Sequence, residues 1–469
     1  MQARCFPISA FALLAVVVGS SLDAVTGWQW AAGLAGASFA FYALMELPRT
    51  GRRGLVMLAA AGLAALACLA LRPAPLAILA RALERAAALA GLFTALGFLR
   101  EAAESSPLVY DCGGLLVRQP PGRRYLVLSW GGHLVSLVLN FGVLSLLGTM
   151  VVRGNTVAAA GGDEGVVAIR TRRMMTALLR GFATMTVWSP LSVSFAVTQT
   201  VVHGLPWSRL LPLQMGLALL LQLLGWLMDR AAYPPAAVPA PSSGGWGALV
   251  RLGLLVAAVV AASVVVAEML GVRLTTGAVL VVPWAALAWL VVQHGAEGPA
   301  GALVAAGDRL ARRLAVSLPN LRDELAVVGG AMFFGTVLAA FITPAVTARL
   351  VGALGLPPLA LTILLAWVVM GLAQVGLSQI VTVTLLGSAL ADLSRLGVDP
   401  LVLASGLMGA WALSACSTPV GAATLTIARL ADVPVGTVAR AWNGRYVLGG
   451  GLLLAAWMAG LHVLLPHLG

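Results

Sequence analysis

The chain has 469 residues, of which 60% are hydrophobic and 10% charged, against about 25% charged in an ordinary soluble domain. Its mean hydropathy of +0.97 is more than a soluble core of this size can hide, so composition excludes a soluble globular protein and indicates a polytopic membrane protein. The net charge of +12 comes from arginine alone, scattered over short loops between apolar runs, which excludes a basic nucleic-acid-binding domain.

In chain order, eleven apolar runs are long enough to cross a bilayer: near 5–22, 28–47, 54–71, 82–102, 174–202, 210–228, 249–270, 274–293, 324–343, 400–430 and 446–465. The first has no clear small-residue cleavage site and is read as a retained helix. The fourth carries Arg81, Glu84 and Arg85 at its start. Two further apolar regions, 123–151 and 358–392, are interrupted in the middle by polar residues and glycine. Both are expected to be re-entrant hairpins of half-helices, which membranes tolerate only when buried in protein.

The segment 229–247 is rich in Pro, Ala, Gly and Ser and has the composition of a linker. The connection from His294 to Asp323 suits an amphipathic helix on the cytoplasmic face. Residues 1–75 then form N-terminal membrane helices, 76–228 a first inverted repeat, and 248–469 a second. The expected fold is all-α: about eleven transmembrane helices plus two re-entrant hairpins, in two inverted repeats with broken helices. With the N-terminus cytoplasmic and the C-terminus outside, all 29 arginines fall inside except Arg72, Arg81, Arg85, Arg209, Arg273, Arg349 and Arg395. That bias has the sign membrane insertion requires. The expected location is a bacterial inner (plasma) membrane. Cys5, Cys68, Cys112 and Cys416 form no CxxC pair, so neither a disulfide framework nor a zinc site is indicated.

The repeat is visible in two segments. LRGFATMTVWSPLSVSFAVTQTVVHGLPW begins at Leu179, and LMGAWALSACSTPVGAATLTIARLADVPV at Leu407. Gly181 pairs with Gly409, Ser189 with Ser417, Pro190 with Pro419, and Pro206 with Pro434, at spacings of 228 or 229. A proline inside a helix removes one hydrogen bond and clashes with the preceding turn. One such segment is commonly a kinked helix satisfied by its neighbours. Two in matching places, each preceded by a hairpin, point to broken helices around a transporter's central site. A half-helix starting there aims free N–H groups and a partial positive charge at the membrane centre, where anions bind.

These segments resemble the ion transporter superfamily, and within it the divalent anion/sodium symporters, from about Leu76 onward. Asn140, within Ser136–Gly148, falls on the Asn of a Ser-Asn-Thr-like hairpin turn, with Leu139 and Phe141 beside it. Thr382, Val383 and Thr384 fall on the matching turn of the second half. Trp188–Ser192 and Ser417–Pro419 fall on the two Thr-Pro-Pro-Asn-like breaks. Val383, Phe141 and the incomplete breaks depart from the family's pattern. The resemblance implies an elevator-type secondary transporter with substrate at hairpin tips and helix breaks.

The substrate-binding candidates are Asn140, Ser189, Pro190, Ser192, Thr382, Thr384, Ser417, Thr418 and Pro419. The ion-coupling candidates are Ser136, Asn140, Ser378, Thr382 and His133. Each has a blander role: Asn140 as a cap of its turn, His133 as a donor to a backbone carbonyl, the hydroxyls bonded to their own helices. Glu46, Glu268 and Asp392 are expected to face water at span ends, and no carboxylate pair lies at mid-membrane. The expected cargo is a small organic acid or inorganic oxyanion, or a neutral solute. No cofactor is expected beyond Na+ or H+ as coupling ion. Membrane lipids are the other partners, with a homodimer left open. A membrane-embedded lipid-handling enzyme or lipid carrier is the alternative reading.

Overall fold

The computed structural model describes residues 7–202, 204–233, 245–389 and 399–465. Arg4, Cys5 and the start of the first run, the middle of the linker (234–244), and the end of the second hairpin with Asp392 and Arg395 lie outside the described residues. The protein is an all-α polytopic membrane protein: twenty α-helices, and no strand among the described residues.

The first ten helices are α1 (Ile8–Thr26), α2 (Gln29–Glu46), α3 (Arg52–Leu71), α4 (Pro75–Glu104), α5 (Pro107–Val117), α6 (Pro121–Leu139), α7 (Gly142–Gly154), α8 (Glu164–Met185), α9 (Val193–Val201) and α10 (Trp207–Ala232). The next ten are α11 (Gly247–Leu270), α12 (Leu274–Gln293), α13 (Gly298–Asn320), α14 (Arg322–Ala339), α15 (Pro344–Leu354), α16 (Pro358–Gln374), α17 (Gln379–Ala389), α18 (Pro400–Ser417), α19 (Ala422–Ala431) and α20 (Gly444–Leu464).

The second series repeats the local chemistry of the first. The short helices α5 and α15 start at a proline, as do α6 and α16, a position where the missing N–H costs nothing. Aspartates cap the two helices that precede the breaks: Asp163 accepts from Gly165 and Val166, and Asp399 from Leu401. The corresponding helices α4 and α14 run in opposite directions. Arg100 near the end of α4 reaches Glu324 at the head of α14, while Ala82 near the start of α4 packs with Val337 near the end of α14.

Eight helices are long and apolar enough to span a membrane alone, counting α18 and α19 together. The other three expected spans fall on α4, on α8 with α9, and on α14. Charges at the ends of α4 and α14 and the interruption before α9 account for their weaker signal. Helices α1–α4 and α11–α14 pack mainly with one another, and α6–α10 and α16–α20 form a second bundle. Helices α14 and α17 make the broadest seam between them. Helix α13 forms as expected, with Ala302, Ala306, Leu310, Leu314 and Leu318 buried along one stripe against α4 and α12.

The structure corrects several expectations. The stretch between the fourth run and the first hairpin, for which no element is expected from the sequence, contains α5. The turn of the second hairpin is Val375–Ser378, not Thr382–Thr384. Gly376 takes φ +94°, and the run that follows holds no breaker, so Thr382 and Thr384 continue inside α17. Glu46 is buried rather than solvated, with Arg49 and Arg322 at 3.8 and 3.9 Å.

Candidate functional site

The first hairpin turns at Asn140 and Phe141. Backbone bonds from Asn140 N to the Ser136 carbonyl and from Val143 N to the Asn140 carbonyl close the turn. Asn140 sits at φ 49°, ψ −127°, a conformation strained for any residue but glycine. Its carboxamide, half-buried, bonds to no described residue. Phe141 packs on Phe182 at 4.8 Å between ring centroids. The Ser136 hydroxyl donates to the Gly132 carbonyl of its own helix.

Helix α8 stops at Met185, and Thr186–Ser192 cross to α9, which starts three residues after Pro190. The serines here act as caps. Ser189 Oγ accepts from Leu191 N, and Ser192 Oγ accepts from Phe195 N. Both serines and Pro190 are buried. Trp188 Nε1 donates to His133 Nε2 at 3.0 Å, and His133 Nδ1 faces the Gly181 carbonyl and Thr184 Oγ1, each at 3.2 Å. One ring nitrogen accepts and the other donates, which describes a neutral imidazole in a fixed tautomer. Gly181 permits this approach, since a Cβ there would lie 2.3 Å from the Ser129 carbonyl oxygen.

The second hairpin rests directly on the second break. Gln374 Nε2 donates to Ser417 Oγ at 2.8 Å, and Thr418 Oγ1 donates to the Ala373 carbonyl at 2.8 Å. Helix α19 starts three residues after Pro419, as α9 does after Pro190. Val375 and Leu377 on the turn and Val420 on the break are exposed. Ser378 only accepts, at its carbonyl, from Thr382. Thr384 is buried and directed at Met332 Sδ of α14. Ser417, Thr418 and Pro419 are thus brought together with the hairpin turn, whereas Thr382 and Thr384 lie further along α17.

The hairpins also cross over. Helix α7 packs on α19, where Leu430 meets Gly148, and α17 packs on α9, where Val201 meets Gly387. Each half's hairpin therefore braces the other half's broken helix.

Two polar cavities lie between the bundles, at opposite ends of α4. One, of about 400 Å³, is lined by Arg100, Glu101, Glu104, Tyr110, Ser145, Arg309, Arg313 and Gly142 at the start of α7. Arg313 pairs with Glu101 at 2.8 Å, and that hydrogen bond and charge hold its guanidinium above the ordinary arginine value. Arg100 pairs with Glu104 at 2.9 Å. Arg309 has no carboxylate within 4 Å among the described residues. The other cavity, of about 480 Å³, contains Arg81, Arg85, Arg273, Glu84, Asp23 and Thr200. Arg100 and Arg85 are roughly 22 Å apart along the helix, from the α-helical rise. A third space, an apolar groove of about 980 Å³ between α6, α10 and α11, has His133, Trp188 and Gln222 on its wall.

Sequence reasoning missed Gln374, Gln222, Arg309 and Arg180. A glutamine inside an otherwise apolar hairpin was the available signal for the first. Arg180 was counted with the cytoplasmic arginines but is buried in the bundle.

Two broken helices, each braced by a re-entrant hairpin, with a polar cavity at either end of α4, define a polytopic membrane fold built around paired hairpins. The structure is similar to the crystal structure of the Alcanivorax borkumensis YdaH transporter, with a TM-score of 0.54 and 16% sequence identity, over 87% of this chain and 98% of that one. No family model and no curated protein matches the sequence.

Proposed function

We propose that the chain is a secondary active transporter of a small anion, an organic acid or inorganic oxyanion, in a bacterial inner membrane. In this reading α6–α10 with α16–α20 slides over α1–α4 with α11–α14, and the N-terminus is cytoplasmic. The observation that carries it is the reciprocal bracing of each broken helix by the opposite hairpin, which makes one rigid unit with two helix ends at its centre. The resemblance to divalent anion/sodium symporters agrees with this. So does the transporter fold shared with the YdaH structure.

An anion is favoured over a cation for electrostatic reasons. The 400 Å³ cavity joins the start of α7 to Arg100 and to Arg309, which has no carboxylate partner among the described residues. Asn140, with its unengaged carboxamide, and Ser417 and Thr418 at the second break are the proposed substrate contacts. Coupling to Na+ or H+ belongs to the same proposal.

The test is uptake of radiolabelled pyruvate, succinate and sulfate into proteoliposomes, with a sodium gradient, a proton gradient or neither. Gradient-dependent accumulation of at least one anion is expected. Absence of uptake for all three under every gradient would overturn the reading. The apolar groove beside His133 favours a second reading, a lipid carrier. That reading predicts stoichiometric copurified lipid and no anion uptake.

A further inference from the structure

Arg180 is the one cation fully buried among the described residues, 6% exposed and within the last two turns of α8. Neutral acceptors engage it. Nε donates to Asn443 Oδ1 at 3.0 Å, one terminal nitrogen to the Tyr125 hydroxyl at 3.1 Å, and the other to the Trp442 carbonyl at 3.1 Å. The Tyr446 ring lies 4.2 Å from its carbon centre. Among the described residues no carboxylate comes within 4 Å. Asp229, one turn beyond the point where Arg180 crosses Gly225 of α10, is held by Arg173 through two bonds of 3.0 and 2.7 Å.

The hydrogen bonds engage each of the guanidinium's three nitrogens, three of its five N–H donors, but leave its full charge in place. A buried charge without an opposite one is expensive, and such residues in membrane segments mark function. Its location is specific. Arg180 precedes the first break by six residues, roughly 9 Å along the axis, and α8 packs against α18, whose last residue, Ser417, adjoins the second break. Tyr125, Trp442, Asn443 and Tyr446 all belong to the bundle that carries both hairpins, so the charge belongs to that bundle too.

We propose that Arg180 is the resident counter-charge of the substrate, and that the substrate is a monovalent anion. This rests on the transporter reading above. With the anion alone bound the unit has no net buried charge, and the empty unit carries one positive charge. Arg180 is a positioning residue that acts through the field and not by contact.

The test needs no known substrate. Voltage steps are applied to patches of giant proteoliposomes in a buffer whose only anion is a bulky sulfonate, and the displaced charge is recorded. The wild-type protein is expected to move about one elementary charge per molecule. Asn443→Asp places a carboxylate 3.0 Å from Arg180 Nε, cancels the charge, and should abolish the movement; Arg180→Gln should do the same, and Arg180→Lys should keep it. Asn443→Asp also loses a donation to the Val438 carbonyl, so thermal unfolding is followed in parallel. In uptake assays Asn443→Asp should raise the KM for pyruvate about tenfold, the loss of a unit charge roughly 10 Å away at an effective dielectric constant of about 20.

A merely structural Arg180 predicts the reverse, because a new ion pair would tighten the anchor and change neither readout. Equal charge movement in wild type and Asn443→Asp, or none in wild type, overturns the proposal. If charge moves as expected but no anion is taken up, the anion-transporter reading fails, Arg180's role as the substrate's counter-charge falls with it, and only a mobile buried charge remains. If uptake occurs with unaltered charge movement in Asn443→Asp, only this proposal falls.

Discussion

The two broken helices share a plan but differ in how the break is secured. The first, Thr186–Ser192, is seven residues long, almost wholly buried, and capped by its own serines. Its outside tie, Trp188 to His133, reaches α6 two turns below the hairpin turn. The second, Thr418–Gly421, is four residues, with Val420 exposed; besides the Thr424 hydroxyl donated to the Thr418 carbonyl, its ties run to Ala373 and Gln374 at the end of α16, next to the hairpin turn. One break is a closed joint. The other is a joint whose stability depends on a neighbouring hairpin staying in place. Hydrogen bonds that bridge two elements are lost together when either moves, so the second break is the expected site of substrate access.

The largest expected effect separates the halves at their glycines. Gly181→Ala puts a methyl against the Ser129 carbonyl, which belongs to a rigid helix, and should cost about 3 kcal/mol, enough to lower the unfolding temperature sharply. Gly409→Ala meets the ends of the Leu454 and Leu217 side chains, which can turn aside, and should cost about 1 kcal/mol. Equal losses in a thermal-unfolding series would erase the distinction. Next, Trp188→Phe leaves His133 Nε2 without its donor and should cost on the order of 1–2 kcal/mol, with faster amide exchange across 186–192.

Asn140→Gly separates the two roles of that residue. Glycine relieves the strain at φ 49° and should stabilise by about 1 kcal/mol, while uptake falls at least tenfold. Higher stability with undiminished uptake would leave Asn140 as a turn residue only. The smallest change is Thr418→Val, which removes one bond to the second hairpin, worth about 1 kcal/mol or less. It should leave global unfolding nearly unchanged but raise the labelling rate of a cysteine placed at the exposed Val375.

How much of this was legible in the sequence follows from what each pattern encodes. Long apolar runs and two prolines in matched positions gave the spans and the breaks, because hydrocarbon thickness and a missing N–H act locally. Asn140 at the first turn was found for the same reason. The second turn was misplaced because a positive-φ glycine and a polar residue near a run's end are weak signals beside the Thr-rich stretch of α17. Helix α5 was hidden by its shortness. The cavities and Arg180's network were not legible. Arg100 and Arg309 are 209 residues apart, and Arg180 and Asn443 are 263. Only the folded chain brings them into reach.

The central claim is that the hairpin-bearing bundle moves against the other along the α14–α17 seam. A Cβ at Gly335 lies 3.0 Å from Thr384 Cβ across that seam, close enough for a disulfide after small adjustment. In proteoliposomes holding Gly335→Cys/Thr384→Cys protein, oxidation should abolish anion uptake and reduction restore it, with each single variant unaffected by oxidant. Full cross-linking with uptake undiminished would contradict the account.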